Sequence, residues 1–356
     1  MVQDETRIAV SSLKKKYGAL TVIEDLNLDI KKGEFISLLG PSGSGKTTLL
    51  MILAGFEKAT SGSVSLDGTH IENLPPHKRG LGVVFQNYAL FPHMTVAENI
   101  AFPLKMRRYS RSIIKQKVQK ALDMVQLSDY GKRRPTEMSG GQQQRIALAR
   151  ALVFEPRVIL MDEPFGALDK QLREQMQLDI RDMHKRLGLT VVFVTHDQSE
   201  ALTMSDRIAV FNKGNIEQIG TPLEIYEKPK TDFVAQFIGE TNLIKGIVAS
   251  IDDNFIRMKI NDTELKVTKI NSVKLGEEIA ISLRPELITL SKSPLANDNM
   301  LPGKVRDTVY RGEHTRIDVD TEIGKVIVRS DRMNSNFVSN NHLIINFNAN
   351  DCWIVK

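Results

Sequence analysis

The sequence predicts an α/β domain followed by a smaller all-β domain, and three observations lead there. A short apolar run, Glu34-Phe35-Ile36-Ser37-Leu38-Leu39, ends at Gly40, passes through a glycine-rich loop and enters a stretch of helical character from Thr47 to Ala54. Two further apolar runs, Val158–Met161 and Val191–Val194, flank the polar, helix-forming stretch Lys170 to Leu187. Buried strands alternating with helices belong to a parallel sheet covered on both faces. Beyond Gly239 the chain changes to short Val/Ile/Thr segments broken by Asn-Asp, Asp-Asp and Pro-Gly turns, the pattern of an all-β domain.

The other elements follow in chain order. Residues Arg7 to Ile30 alternate apolar and polar positions around a turn signal at Tyr17-Gly18, which predicts strands of an antiparallel sheet. Leu81–Phe85 reads as a short strand. From Val96 to Phe154 the composition turns helical, with apolar residues at three- and four-residue intervals in Ile113 to Val125 and Gln142 to Val153. A helical subdomain over about residues 88–155 is therefore expected inside the α/β domain. In the all-β part, two similar blocks around Arg284-Pro285-Glu286 and Tyr310-Arg311-Gly312 are compatible with one barrel or two. A chain of 356 residues has the length of two domains, here expected at 1–238 and 239–356.

Composition narrows the partners. The net charge of +5 admits nucleic acid or an anionic membrane surface. The basic residues Lys105, Arg107, Arg108, Arg111, Lys115, Lys117 and Lys120 spread along a polar helical stretch, as on a solvated face or one close to lipid headgroups. No apolar run approaches the roughly 20 residues that cross a bilayer. Met1 to Arg7 carries two acids and lacks the apolar centre of a secretory signal. Cys352 is the only cysteine, so no internal disulfide can form, in keeping with a reducing compartment.

Gly40-Pro41-Ser42-Gly43-Ser44-Gly45-Lys46-Thr47 fits the P-loop pattern in the strand-to-helix setting that the pattern requires. Its glycines let the backbone approach phosphate oxygens, and amides at the start of the helix, Thr48 included, point to where negative charge would sit. Lys46 is expected on the β- and γ-phosphates of ATP and Thr47 on Mg²⁺. Val158-Ile159-Leu160-Met161 ends in Asp162 and Glu163. Asp162 can reach Mg²⁺ directly or through water, which leaves Glu163 free to polarise an attacking water.

Met138-Ser139-Gly140-Gly141-Gln142, just before a helix, resembles the signature of ABC ATPases, with Met138 in place of the usual leucine. Backbone amides and a hydroxyl at a helix N-terminus suit a γ-phosphate, and the resemblance implies that this phosphate is held by another subunit's P-loop. Further positions match the family in order. Tyr17 corresponds to the aromatic that stacks on adenine, Gln86 to the glutamine that senses metal and γ-phosphate, Ala167-Leu168-Asp169 to the segment along the dimer seam, and His196 to the switch histidine. The implied architecture is a P-loop NTPase core of ABC type, with an antiparallel β subdomain, a helical subdomain and a C-terminal β domain of OB or TOBE type.

That β domain is similar to the importer group serving sugars, ferric iron, sulfate and polyamines. The strings Gln198-Ser199-Glu200-Ala201-Leu202-Thr203-Met204-Ser205-Asp206-Arg207 and Phe233-Val234-Ala235-Gln236-Phe237-Ile238-Gly239-Glu240-Thr241-Asn242 look most like spermidine/putrescine importer ATPases. The resemblance implies a homodimer closing around ATP and Mg²⁺. It also implies two membrane permease subunits meeting Gln86 and Phe91-Pro92-His93-Met94, an extracytoplasmic substrate-binding protein, and a peripheral place on the cytoplasmic face of the inner membrane. Another small solute as cargo is an alternative. A soluble ABC ATPase acting on nucleic acid or ribosomes is an alternative of another class; the single nucleotide-binding domain and importer-like β tail make nucleic acid an unexpected partner.

Overall fold

The computed structural model describes residues 5–166, 168–270, 273–331 and 342–355, which leaves Ala167 outside the described residues. The chain forms two compact units, Met1–Pro222 and Leu223–Lys356.

In the first unit β1 (Thr6–Tyr17) and β2 (Leu20–Lys31) make a long antiparallel hairpin. β3 (Phe35–Leu39) leads through the glycine-rich loop into α1 (Lys46–Ala54). Next come β4 (Ser61–Leu66), β5 (Thr69–His70) and β6 (Gly82–Val84), then the helices α2 (Val96–Met106), α3 (Arg111–Met124) and α4 (Gly140–Leu152). The unit ends with β7 (Val158–Asp162), α5 (Lys170–Leu187), β8 (Thr190–Thr195), α6 (Gln198–Met204), β9 (Arg207–Asn212) and β10 (Asn215–Gly220). One sheet is antiparallel, in the order β2-β1-β4-β5; the other runs β10-β9-β3-β8-β7-β6 and is parallel except at β10.

The apolar runs of the larger sheet are continuous because both faces are buried. Alternation sends Ile36, Leu38, Val158, Leu160, Val192 and Val194 into one core, shared with α1 and with Leu13 and Ile23 of the hairpin. It sends Phe35, Ile159, Met161, Val191 and Phe193 into a second core, shared with Ile100 of α2, Ile146 of α4 and Ile180 of α5. The helices start where side chains satisfy their free amides. Thr95 and Glu98 form a reciprocal capping box on α2, Ser110 caps α3, and Asp169 caps α5. No helix among the described residues is long and apolar enough to cross a membrane.

The second unit opens with two short helices, α7 (Pro222–Glu227) and α8 (Asp232–Phe237), which precede the change in composition near Gly239. Its strands are β11 (Asn242–Ile251), β12 (Phe255–Ile260), β13 (Thr263–Thr268), β14 (Glu278–Leu283), β15 (Thr289–Ser291), β16 (Asn299–Tyr310), β17 (His314–Thr321), β18 (Gly324–Asp331), β19 (His342–Phe347) and β20 (Cys352–Val355). They form two five-stranded antiparallel sheets, β13-β12-β11-β14-β20 and β15-β19-β16-β17-β18. Ile256, Met258 and Ile281 from the first sheet and Ile317, Ile345 and Phe347 from the second meet in one core. Of the two blocks seen in the sequence, Arg284-Pro285-Glu286 marks the passage from the first sheet to the second and Tyr310-Arg311-Gly312 a hairpin within the second; the last strand returns to the first sheet.

Arg284 fastens the short helices to β14. It is 5% exposed. Nη2 donates to the Tyr226 carbonyl at 2.7 Å, Nη1 donates to the carbonyls of Ala235 and Gly239 at 3.1 and 3.2 Å, and the guanidinium lies 4.2 Å from the Tyr226 ring centroid. Tyr226 in turn donates its hydroxyl to Glu286 at 2.5 Å, and burial together with that bond pushes the phenol pKa up to about 12. Arg284→Met keeps most of the volume but leaves buried carbonyls without a donor, so a loss on the order of 3 kcal/mol is expected. Trp353, the only tryptophan, donates its indole N–H to Pro229 at 2.9 Å in the same unit. Its fluorescence during urea unfolding measures the loss.

Candidate functional site

Gly40 leaves β3 against the backbone of β9, where a Cβ on it would stand 2.4 Å from the Phe211 carbonyl oxygen. No other residue fits there. The loop then turns through Gly43 (φ 78°) and Gly45 (φ 105°), left-handed positions that glycine takes without crowding. Lys46 is 4% exposed. Its ammonium donates to the carbonyls of Gly40 and Pro41, both at 2.8 Å, with the Ser44 hydroxyl at 3.4 Å. Burial lowers the lysine pKa, opposed by the charges of Glu163 and Asp162. Ser42, Gly43 and Thr47 face solvent, and Thr48 is half-buried.

The Thr47 hydroxyl donates to Asp162 Oδ1 at 3.1 Å and links the first turn of α1 to the end of β7. Burial raises the Asp162 pKa above the ordinary carboxylate value, partly offset by that bond. Glu163 follows with a left-handed backbone (φ 42°), its amide donating to the Val194 carbonyl at 3.0 Å. Its two carboxylate oxygens face different neighbours. Oε2 receives the Gln86 amide at 3.4 Å, and Oε1 lies 3.2 Å from His196 Nδ1. Asp162 ends β7, and Gly40, Gln86, Glu163 and His196 follow the carboxyl ends of the neighbouring strands β3, β6, β7 and β8, the edge at which open α/β sheets bind ligands. Tyr17 ends β1 opposite Leu20, is 45% exposed, and has the Lys15 ammonium 4.4 Å from its ring centroid. Val22 of the same hairpin adjoins the loop: its carbonyl oxygen would stand 3.1 Å from a Cβ on Gly45.

A second cluster forms where α4 and α5 begin. Ser139 Oγ accepts from the Gln142 amide at 3.3 Å, while Gln142 Oε1 accepts from the Ser139 amide at 3.0 Å. Gly141 lies close under α5: a Cβ on it would stand 2.7 Å from Leu172 Cδ2 and would push that side chain aside. Gly140 faces Leu168, and Asp169 caps α5 by accepting from the Leu172 amide at 2.9 Å. Arg173 bonds the Leu168 carbonyl at 3.1 Å and Asp197, beside His196, at 3.3 Å. Among the described residues no hydrogen bond joins 139–142 to the loop 40–48 within the chain. Sequence reasoning passes over Arg173, Asn99 and Arg150, because a polar residue in a helix carries no mark of the loop it will hold.

Comparison with known proteins bears on this geometry. Residues 23–166 match the family model described as ABC transporter, and residues 281–355 match the TOBE domain. The dimeric MJ0796 bacterial ABC transporter cassette superposes with a TM-score of 0.55 at 35% identity, covering 60% of this chain and 98% of that one. A post-hydrolysis form of that cassette, bound to ADP and Pi, matches with a TM-score of 0.54 at 33% identity, covering 60% of this chain and 98% of that one. The first unit is therefore an ABC-type ATPase. The chain is 42% identical to the spermidine/putrescine import ATP-binding protein PotA of Thermotoga maritima over 98% of each chain, and 50% identical to that of Clostridioides difficile over 89% of each. It belongs to the ABC transporter family, as an ATP-binding subunit that hydrolyses ATP.

The buried carboxylate sets a testable balance between stability and chemistry. A raised pKa means that folded Asp162 holds its proton more tightly than the unfolded chain does. The stability linked to that proton is complete below the ordinary Asp value and is lost as pH rises through the folded value. At neutral pH the fold carries the burial of the charge, so Asp162→Asn is expected to raise the unfolding temperature of the nucleotide-free protein there. The advantage should shrink as pH falls toward the ordinary Asp value. Calorimetry across pH measures it.

Proposed function

We propose that this chain drives uptake of a polyamine, spermidine or putrescine, as one half of an ATP-closed homodimer bound to two membrane permeases. One observation carries the catalytic reading: Glu163 stands between Gln86 and His196, next to the Thr47–Asp162 pair and Lys46. ATP would lie over the loop 40–48 with its base on Tyr17, and Lys46 would exchange loop carbonyls for phosphate oxygens. Glu163 would orient and polarise the attacking water, an effect worth about 10²–10⁴ in rate, with His196 and Gln86 holding the carboxylate and the γ-phosphate.

The Thr47 hydroxyl and the buried Asp162 carboxylate, 3.1 Å apart, are hard oxygen donors that fit Mg²⁺, and the Gln86 amide oxygen is a third. Among the described residues no cluster of three or more His, Cys, Asp or Glu could hold a metal alone, which suits an ion that takes its other ligands from phosphate and water. When bound, Mg²⁺ supplies neutralisation of the charge that develops on the phosphates.

The cluster Ser139, Gly140, Gly141 and Gln142 presents amides and a hydroxyl at a helix N-terminus and finds no phosphate loop within its own chain. A second copy supplies one, with Asp169 along the seam. Between α2 and α3 runs a groove of about 800 Å³ with Ala101, Val118 and Leu122 along it and Lys105, Arg111 and Lys115 among its charged residues. Lined also by Thr95, which follows the segment 91–94, it is suited to a cytoplasmic loop of a permease. A substrate-binding protein outside the membrane would deliver the solute, and the chain would work peripherally on the cytoplasmic face. The polyamine cargo is supported by relatives at 42–50% identity whose names specify it.

In Glu163→Gln, hydrolysis is expected to fall at least about a hundredfold while an ATP-bound dimer accumulates, seen by size-exclusion with light scattering. A variant that hydrolyses ATP normally removes Glu163 from the reaction. With the permeases co-expressed, polyamine-loaded binding protein should stimulate ATP hydrolysis where sugar-loaded or ferric-loaded protein does not. The reverse preference would exclude the polyamine reading.

A further inference from the structure

The segment that follows β6 is held in a conformation that its residues disfavour. Tyr88 (φ 60°) and Ala89 (φ 46°) are consecutive left-handed residues. Neither is glycine, so each Cβ crowds the backbone, and such a conformation persists only where its surroundings impose it. Tyr88 is 6% exposed and belongs to the core that α2 and α4 share. Arg150, in the last turn of α4, donates Nη2 to the Tyr88 carbonyl and Nη1 to the Ala89 carbonyl, both at 2.7 Å. The rigid guanidinium fork spans two adjacent carbonyls, which an ammonium would not do with the same geometry. Just downstream, Asn99 of α2 accepts from the Phe91 amide at 2.8 Å and donates to the carbonyls of Phe91 and Thr95 at 3.1 and 3.0 Å. The segment is thus tied to the helical subdomain at 88–95, while two residues earlier Gln86 reaches Glu163 at 3.4 Å.

We propose that Arg150 is a positioning residue: by gripping the carbonyls of Tyr88 and Ala89 it holds the segment in the left-handed form that delivers Gln86 to Glu163. The placement of Gln86 then depends on the pose of α4. That helix has 13 residues, roughly 20 Å, with the Ser139–Gln142 cluster at one end and Arg150 at the other. A contact made by a second copy at its N-terminus is carried as a rigid displacement to the segment holding Gln86. The inference rests on the role assigned to Gln86 above.

The test is steady-state Mg²⁺-dependent ATP hydrolysis by the full chain. Arg150→Lys keeps the charge and loses the fork; kcat is expected to fall about tenfold with KM for ATP within about twofold. Ala89→Gly added to Arg150→Lys should restore at least about fivefold of that loss, because glycine takes positive φ without crowding. A residue that only packs the core would not be rescued by a change on an exposed loop. Should Arg150→Lys not fold, Ala89→Val asks the same question with Arg150 in place: the site is exposed, so added crowding at positive φ should lower kcat at unchanged KM. Gln86→Ala separates the two readings. If it turns over as wild type, the role of Gln86 fails. If it is slow while Arg150→Lys is as fast as wild type, or while Ala89→Gly rescues nothing, or Ala89→Val changes nothing, the positioning role of Arg150 is overturned.

Discussion

The in-step parallel pairing of β3, β8 and β7 is the constraint on which the nucleotide site depends. Leu39 lies opposite Thr195, and Asp162 opposite Val194, so Glu163 comes level with Leu39 and Thr195, one residue before Gly40 and His196 leave their strands. A slip of one residue would turn each strand's side chains to the opposite face and carry Asp162 and Glu163 out of reach of Thr47. The pairing is held in turn by burial on both faces, and by the close approach of Gly40 to β9 that admits no side chain. The edge is a place where different stretches of chain are made to arrive together.

Charge is stored at that edge at a cost to the fold. Burial disfavours the ionised forms of both Lys46 and Asp162, which move from their ordinary pKa values in opposite directions. They compensate one another only in part, and the loop carbonyls do the rest for Lys46. Such an arrangement gains when a polyanion arrives, because phosphate oxygens offer Lys46 a stronger partner than two neutral carbonyls. The cores on either side of the sheet make the strain tolerable.

The helices act as levers whose ends are specified chemically. Ser139 and Gln142 cap each other on α4, and the same helix N-terminus leaves backbone amides at Gly140 and Gly141 without intrahelical acceptors. Gly141 lets α4 lie against Leu172, so the start of α4 packs on the start of α5 as one piece. Arg173 extends that piece to Asp197, beside His196. In the second unit Arg284 serves a different end: its bonds to backbone carbonyls fasten the short helices to the end of β14.

Much of this was determined by the sequence alone. The pattern around Gly40–Thr47 requires a strand, a tight loop and a helix start, because only that geometry uses three glycines and a lysine at those spacings. The uninterrupted apolar runs at 158–161 and 191–194 require burial on both faces, and the polar stretch 170–187 between them forms the single helix α5 over the same residues. Local rules of this kind concern residues close in sequence, where spacing and chemistry suffice. What only the tertiary structure decided concerns residues far apart: that Gln86 and His196 close on either side of Glu163, that two β sheets fold around a single core, and that 223–237 belong with the second unit. The fork of Arg150 on Tyr88 and Ala89 is of the same kind. An arginine late in a helix carries no trace of a strained loop some 60 residues earlier, because that partnership is created by the packing of helices, and packing has no local spelling.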